Sequence, residues 1–175
     1  MKIITCKICG EVYIGKEKPP TCPYCGVLNS FLVEAKDWVS NYDIELTEIS
    51  RKNLEKALQI ELSNTAFYEC AKNTLTNQEA ALMFKGLMKV EREHASVFRK
   101  LLKPASDPIV SETCVDDAMK CFEESSRREA MAVSFYQQAM SEATEPRLKE
   151  VFGAIMATEK DHLALDHEMK EKLEK

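Results

Sequence analysis

The chain has 175 residues, 45% of them hydrophobic and 30% charged, with a formal net charge of −5. That balance offers no general attraction for nucleic acid or anionic lipid, and no apolar run nears the ~20 residues of a membrane span. The opening "MKIITCKICG" has no apolar secretion segment, so the expected setting is the reducing cytoplasm. There, seven cysteines read as metal ligands and free thiols rather than disulfides.

Residues 1–38 form the first unit. The first 35 residues hold four cysteines, three of the five glycines and three of the six prolines. "CKICG" and "CPYCG" place Cys6-x-x-Cys9 and Cys22-x-x-Cys25 on two hairpin knuckles, which together deliver four thiolates to one tetrahedral ion. Gly10 and Gly26 follow the second cysteine of each pair and let the backbone fold its N–H groups toward sulfur. So short a segment cannot build an adequate core, so the metal is expected to hold it together, with Tyr13 and Phe31 packed around the site. Spacing alone leaves structural zinc and redox-active iron both open.

A linker over 39–47 leads to a second unit, 48–175, nearly free of Gly and Pro. Apolar periodicity predicts helices over about 48–74, about 77–103 entered through Asn77, about 113–143 capped by Thr113, and onward from Pro146. Their stripes advance by alternating threes and fours, the seam spacing of a helix bundle. The fold class is therefore mainly α, a four-helix bundle preceded by a small metal-binding β/loop domain.

The helical part repeats. "ELSNTAFY" (61–68) and "EAMAVSFY" (129–136) each place a Glu seven residues before a Tyr, and "EREH" (91–94) and "EKDH" (159–162) each place a His three after a Glu. Glu61 to Glu91 and Glu129 to Glu159 are both separations of 30, so the bundle is two copies of one helix pair. All four glutamates fall on apolar stripes. One such Glu is ordinarily a solvated residue assigned to the wrong face, because Glu is rarely buried. Four in register, unpaired, would cancel most of the roughly 5–15 kcal/mol that stabilises a domain. Two divalent cations balance them. Glu61 and Glu129 from two helices, with Glu91/His94 and Glu159/His162 from the others, form the ligand set of di-iron or di-manganese bundles.

Tyr68 and Tyr136 lie two turns beyond Glu61 and Glu129 on the same face, fit either for core packing or for bonding a ligand carboxylate. Asp166 could orient a ligand histidine but, near the chain end, is expected in solvent; His167, off the stripe, is expected at the surface. Cys70, Cys114 and Cys121, without partners at ligand spacing, are expected to be buried thiols.

Over nearly its whole length the sequence resembles the rubrerythrin family. "TCKICGEVY…CPYCG" is similar to rubredoxin, and the Glu and Glu-x-x-His pattern to the ferritin-like bundle. The cysteine module comes first, as in the variant called reverse rubrerythrin. The resemblance implies one iron in the four-Cys site (zinc being the alternative occupant of a recombinant sample) and two irons in the bundle. It implies a peroxidase that reduces hydrogen peroxide, or oxygen, in oxidative-stress defence. An electron-donating reductase would be its partner, and a homodimer or larger assembly its form. One departure stands out: typical members carry a further carboxylate one turn after the third-helix Glu, and here that position is Ala132. The strongest rival is a ferroxidase or iron-handling protein, which leaves the four-Cys module little to do. A zinc-ribbon adaptor is a third reading, and it leaves four buried carboxylates unexplained.

The second and third helices of such a bundle run parallel. If the third helix starts at 113, the connection must span about 42 Å by helical rise, while ten extended residues reach only about 33–36 Å. Either the third helix starts later, or helix pairs are exchanged between subunits, and a domain-swapped dimer is the expectation.

Overall fold

The computed structural model describes residues 1–175. Strand β1 (Lys2–Cys6) pairs antiparallel with β2 (Val12–Gly15) on one side and β3 (Leu32–Glu34) on the other. Ile4 and Cys6 point inward, while Ile3 and Ile14 lie exposed. Helices α1 (Glu48–Thr74), α2 (Gln78–Leu102), α3 (Ala118–Glu142) and α4 (Pro146–Leu173) follow. Thr47, Asn77 and Asp117 each cap a helix by accepting the N–H of the residue three further on. No helix is long and apolar enough to cross a membrane.

Helix α1 packs against α2 and α3, and α4 against α3 and α2, so the α1/α3 and α2/α4 faces lie on opposite sides of the bundle. Two apolar layers divide its length. Phe67, Tyr68, Phe84, Leu87 and Phe122 fill one end, with Phe84 and Phe122 stacked at 4.9 Å. Leu54, Leu58, Phe98, Tyr136, Phe152 and Ile155 fill the other. Between the layers lie the four glutamates and two histidines.

The third helix begins at Ala118, capped by Asp117, instead of at 113. The stretch before it is irregular and is tied down by contacts to distant parts of the chain. Asp116 accepts the N–H of Thr76, Glu112 accepts from Arg128, and Cys114 is bonded to Cys70. This later start resolves the reach problem. From Leu102 to Ala118 the chain has sixteen steps, roughly 53 Å when extended, for a gap now near 33 Å. All four helices of one chain meet around the cluster, so geometry no longer requires an exchange of helix pairs between subunits.

Two further expectations change. Cys70 and Cys114 form a disulfide across a Cα separation of 5.9 Å, leaving only Cys121 as the buried free thiol of that trio. The N-terminal module does not rely on metal alone either. Its Ile4, Ile8, Val27 and Leu32 share one continuous core with α1, α2, α3 and α4. Apolar area that a 38-residue unit could not bury by itself is buried against the bundle.

Candidate metal centres

The first group is Cys6, Cys9, Cys22 and Cys25, all buried and with sulfurs within 4.8 Å of one another. The Cys6–Cys25 and Cys9–Cys22 sulfur separations are both 3.8 Å. A tetrahedral ion with metal–sulfur bonds of about 2.3 Å has ligand edges of about 3.8 Å. The knuckles close through Gly10 N–H to the Cys6 carbonyl and Gly26 N–H to the Cys22 carbonyl, with φ of 82° and 74° at the two glycines. Gly26 has a second reason to lack a side chain: an added Cβ would lie 2.7 Å from Thr158 Cγ2 on α4.

Inside the bundle, Glu61, Glu91, His94 and Glu159 form one group, and Glu91, Glu129, Glu159 and His162 a second. Glu91 and Glu159 belong to both. The arrangement is nearly two-fold. His94 Nδ1 lies 3.0 Å from Glu91, 3.0 Å from Glu159 and 3.7 Å from Glu61. His162 Nδ1 lies 3.0 Å from Glu159, 3.1 Å from Glu91 and 3.8 Å from Glu129. All four glutamates are fully buried.

The tyrosines bond across the repeat. Tyr68 donates to Glu129 and Tyr136 to Glu61, each reaching the carboxylate of the other helix pair. Even so, Glu61 Oε2 and Glu129 Oε2 have no hydrogen-bond donor, and Glu91 Oε1 and both Glu159 oxygens face only the imidazole Nδ1 atoms. Carboxylate oxygens converging in a buried interior suit cations.

The electrostatics point the same way. Burial, reinforced by Glu159 and Glu91, lifts Glu61 and Glu129 well above the usual carboxylate range. Burial also pushes Glu91 and Glu159 up, but the two imidazoles outweigh it and hold both low. His94 and His162 are held well above their ordinary value, because the carboxylates overcome the burial that opposes their charge. By protons alone, two imidazoliums offset Glu91 and Glu159 while Glu61 and Glu129 stay neutral. Two divalent cations would replace those four protons at the same net charge.

The centres touch. His94 Nε2 donates to the Cys25 carbonyl at 3.0 Å, with Nδ1 turned to the carboxylates. Side chains of the bundle and the linker also hold the knuckle carbonyls: Lys100 Nζ to Cys9 at 2.6 Å, Arg147 to Lys7 at 2.6 Å, and linker Tyr42 to Ile8 at 2.8 Å.

A family model described as Rubrerythrin matches residues 52–170, most of the chain and all four bundle helices. The chain belongs to the rubrerythrin family. Reverse rubrerythrin-1 of Clostridium acetobutylicum is 29% identical over 113 residues, which are 58% of this chain and 62% of that protein. The chain thus aligns with somewhat under two thirds of that relative's length. No solved structure matches. As a rubrerythrin, the chain has a ferritin-like bundle preceded by a rubredoxin-like module, with groups suited to iron in both.

Two buried charged residues near the centres, Asp166 and Arg147, differ from or were absent from the sequence expectations. Asp166, expected in solvent, is fully buried one turn beyond His162; burial raises its pKa to about 7, with the His162 charge pulling the other way. Its place on the α4 stripe was the available signal. His167 is exposed, as expected. Arg147 carried a different cue, a cation in the first turn of a helix, where the dipole disfavours it unless something else binds it. Ala132 is buried, and no carboxylate joins the two groups in its place.

Proposed function

We propose that this rubrerythrin is a non-haem di-iron peroxidase that reduces hydrogen peroxide to water, with electrons relayed through the four-Cys site, in oxidative-stress defence. The observation that carries the reading is the hydrogen bond from His94 to the Cys25 carbonyl. A ferroxidase has no use for such a contact, whereas a peroxidase needs it to refill the bundle.

The residues fit the metals by sulfur spacing at one site and by orphaned carboxylate oxygens at the other. Cys6, Cys9, Cys22 and Cys25 would hold one iron. Glu91 and Glu159 would bridge a pair, with Glu61 and His94 completing one side and Glu129 and His162 the other. Iron at these places would supply the redox chemistry, since each peroxide takes two electrons and two protons and leaves as two waters.

The chain's own residues supply position and shielding. Tyr68 and Tyr136 fix the outer carboxylates, and the apolar layers above and below keep bulk water out. His94 is turned by its carbonyl partner so that Nδ1 faces the cluster and Nε2 faces the module, giving a short route of Cys25 sulfur, its own backbone, one hydrogen bond and one imidazole ring. A separate reductase would recharge the cysteine site, in a cytoplasmic homodimer or larger assembly.

The test is to load the protein with iron, reduce it without oxygen, and add peroxide while following the iron–thiolate colour. The reading expects the ferric colour to return as peroxide is consumed, and Glu61→Ala or Glu159→Ala to abolish the response together with the di-iron content. A cysteine site that stays colourless while peroxide or ferrous iron is consumed would overturn it in favour of iron handling.

A further inference from the structure

The position three residues after each ligand glutamate faces the same centre. On α2 and α4 it holds His94 and His162. On α3 it holds Ala132, and on α1 it holds Asn64. Both are almost closed to solvent, at 1% and 3% exposure, and both line a groove of about 500 Å³ between α1, α3 and the crossover. Asn64 Nδ2 is buried and meets no acceptor in the protein. An amide N–H left unbonded inside a folded chain costs stability, and such groups are rare unless a ligand uses them.

The opposite face of the bundle is occupied. Cys25 and Gly26 of the N-terminal module sit against His94 on α2 and Thr158 on α4. The α1/α3 groove therefore offers the approach that the module leaves open. Its mouth is rimmed by Lys56, Arg127 and Arg128, against the single acid Glu112. Glu112 is already engaged by Arg128 and Ser63. Arg127 and Arg128 are in turn paired with Glu124, and Lys56 is left as the rim's unpaired charge, one that favours an electron-rich oxygen or nitrogen ligand.

We propose that the α1/α3 groove is the entrance for the oxidant and that Asn64 is its receiving residue, donating from Nδ2 to the oxidant's acceptor atom in the space left by the Ala132 methyl. This rests on the peroxidase reading and adds a binding residue to it. An amide suits the task because it donates without titrating and brings no fifth carboxylate to a cluster whose charges already balance.

The probe is azide, added to the iron-loaded full chain and followed by optical titration, beside iron content and steady-state peroxide kinetics. Asn64→Ala removes the donor and Asn64→Leu replaces it with an apolar group of similar bulk. Both should bind azide about tenfold more weakly, the loss of one hydrogen bond. Peroxide KM should rise by a similar factor, with kcat within about twofold and iron content unchanged. Azide affinity within twofold of the parent in both variants overturns the proposal, as does loss of iron from either variant while it remains folded. The two readings separate cleanly. A parent protein that binds azide through Asn64 yet reduces no peroxide sinks the peroxidase reading and keeps the groove. Peroxide reduction with an azide affinity indifferent to Asn64 does the reverse.

Discussion

Gly26→Ala tests whether docking of the N-terminal module sets the contact between the two centres. The substitution acts twice. Ala at φ 74° carries left-handed strain of about 1–2 kcal/mol. Its methyl would also sit 2.7 Å from Thr158 Cγ2, overpacking that costs about 1–3 kcal/mol. A combined loss near 3 kcal/mol lowers the melting temperature by roughly 6–12 °C for a chain of this size. Relief of the clash requires the module to retreat by roughly 0.7 Å, which stretches the His94–Cys25 contact from 3.0 Å past hydrogen-bonding distance. Peroxide-driven return of the ferric colour should slow accordingly. Thr158→Ser removes only Cγ2, so the Gly26→Ala/Thr158→Ser pair should recover the clash portion and the rate but not the backbone strain. Melting by calorimetry and colour return by stopped flow measure both. If single and double variants melted alike and recoloured alike, the contact with α4 would not be what places Cys25.

Tyr68→Phe and Tyr136→Phe each remove one buried donor from a ligand carboxylate and should cost about 1–3 kcal/mol in denaturant unfolding. Tyr68 also meets Ser125 Oγ at 3.1 Å, a partner Tyr136 lacks, so Tyr68→Phe should be the costlier of the two; a smaller cost for it would show that the serine contact adds nothing. Joint replacement of Cys70 and Cys114 by Ser frees a loop of 44 residues and should cost about 2–4 kcal/mol. Titration of the unfolded, unreduced chain should find five thiols and not seven, and seven would refute the bond. Glu145 joins the starts of α1 and α4. Burial pushes its carboxyl up, but Thr47 N–H at 2.8 Å, Ser50 Oγ at 2.7 Å and Thr144 N–H at 3.0 Å outweigh it and hold the pKa at about 2. A depressed carboxylate pKa stabilises above the unfolded value and loses that contribution as pH falls from about 4.5 toward 2, here about 1 kcal/mol after allowing for solvent screening. Glu145→Gln should be less stable at neutral pH and show a correspondingly shallower acid loss.

The bundle was legible because burial imposes periodicity, and the ligands because the periodicity repeats. Glu61 alone says nothing, but its spacing to Glu91 recurs from Glu129 to Glu159. The stripe predicts too early a start for the third helix because Val115 falls on its extrapolation, although Asp117 directly before Ala118 is the better cap. The partners that tie down the stretch before that helix are distant: Thr76, Arg128 and Cys70. Which tyrosine serves which glutamate depends on how the helices cross and is not encoded locally. Docking was least visible, because Lys100, Arg147, Tyr42 and His94 all grip backbone carbonyls, which look alike in any sequence.

The exchanged tyrosine bonds bear on how such a centre can become lopsided. A single helix pair presented twice, as two separate identical polypeptides, would make the same two bonds about a true symmetry axis, and every change would then be duplicated. Joining the pairs through 103–117 breaks that obligation. Position 64 can keep an amide while position 132 shrinks to a methyl, and a cysteine knuckle can seat itself on one histidine and leave its twin free. The tether permits a symmetric cage of ligands to have a front and a back.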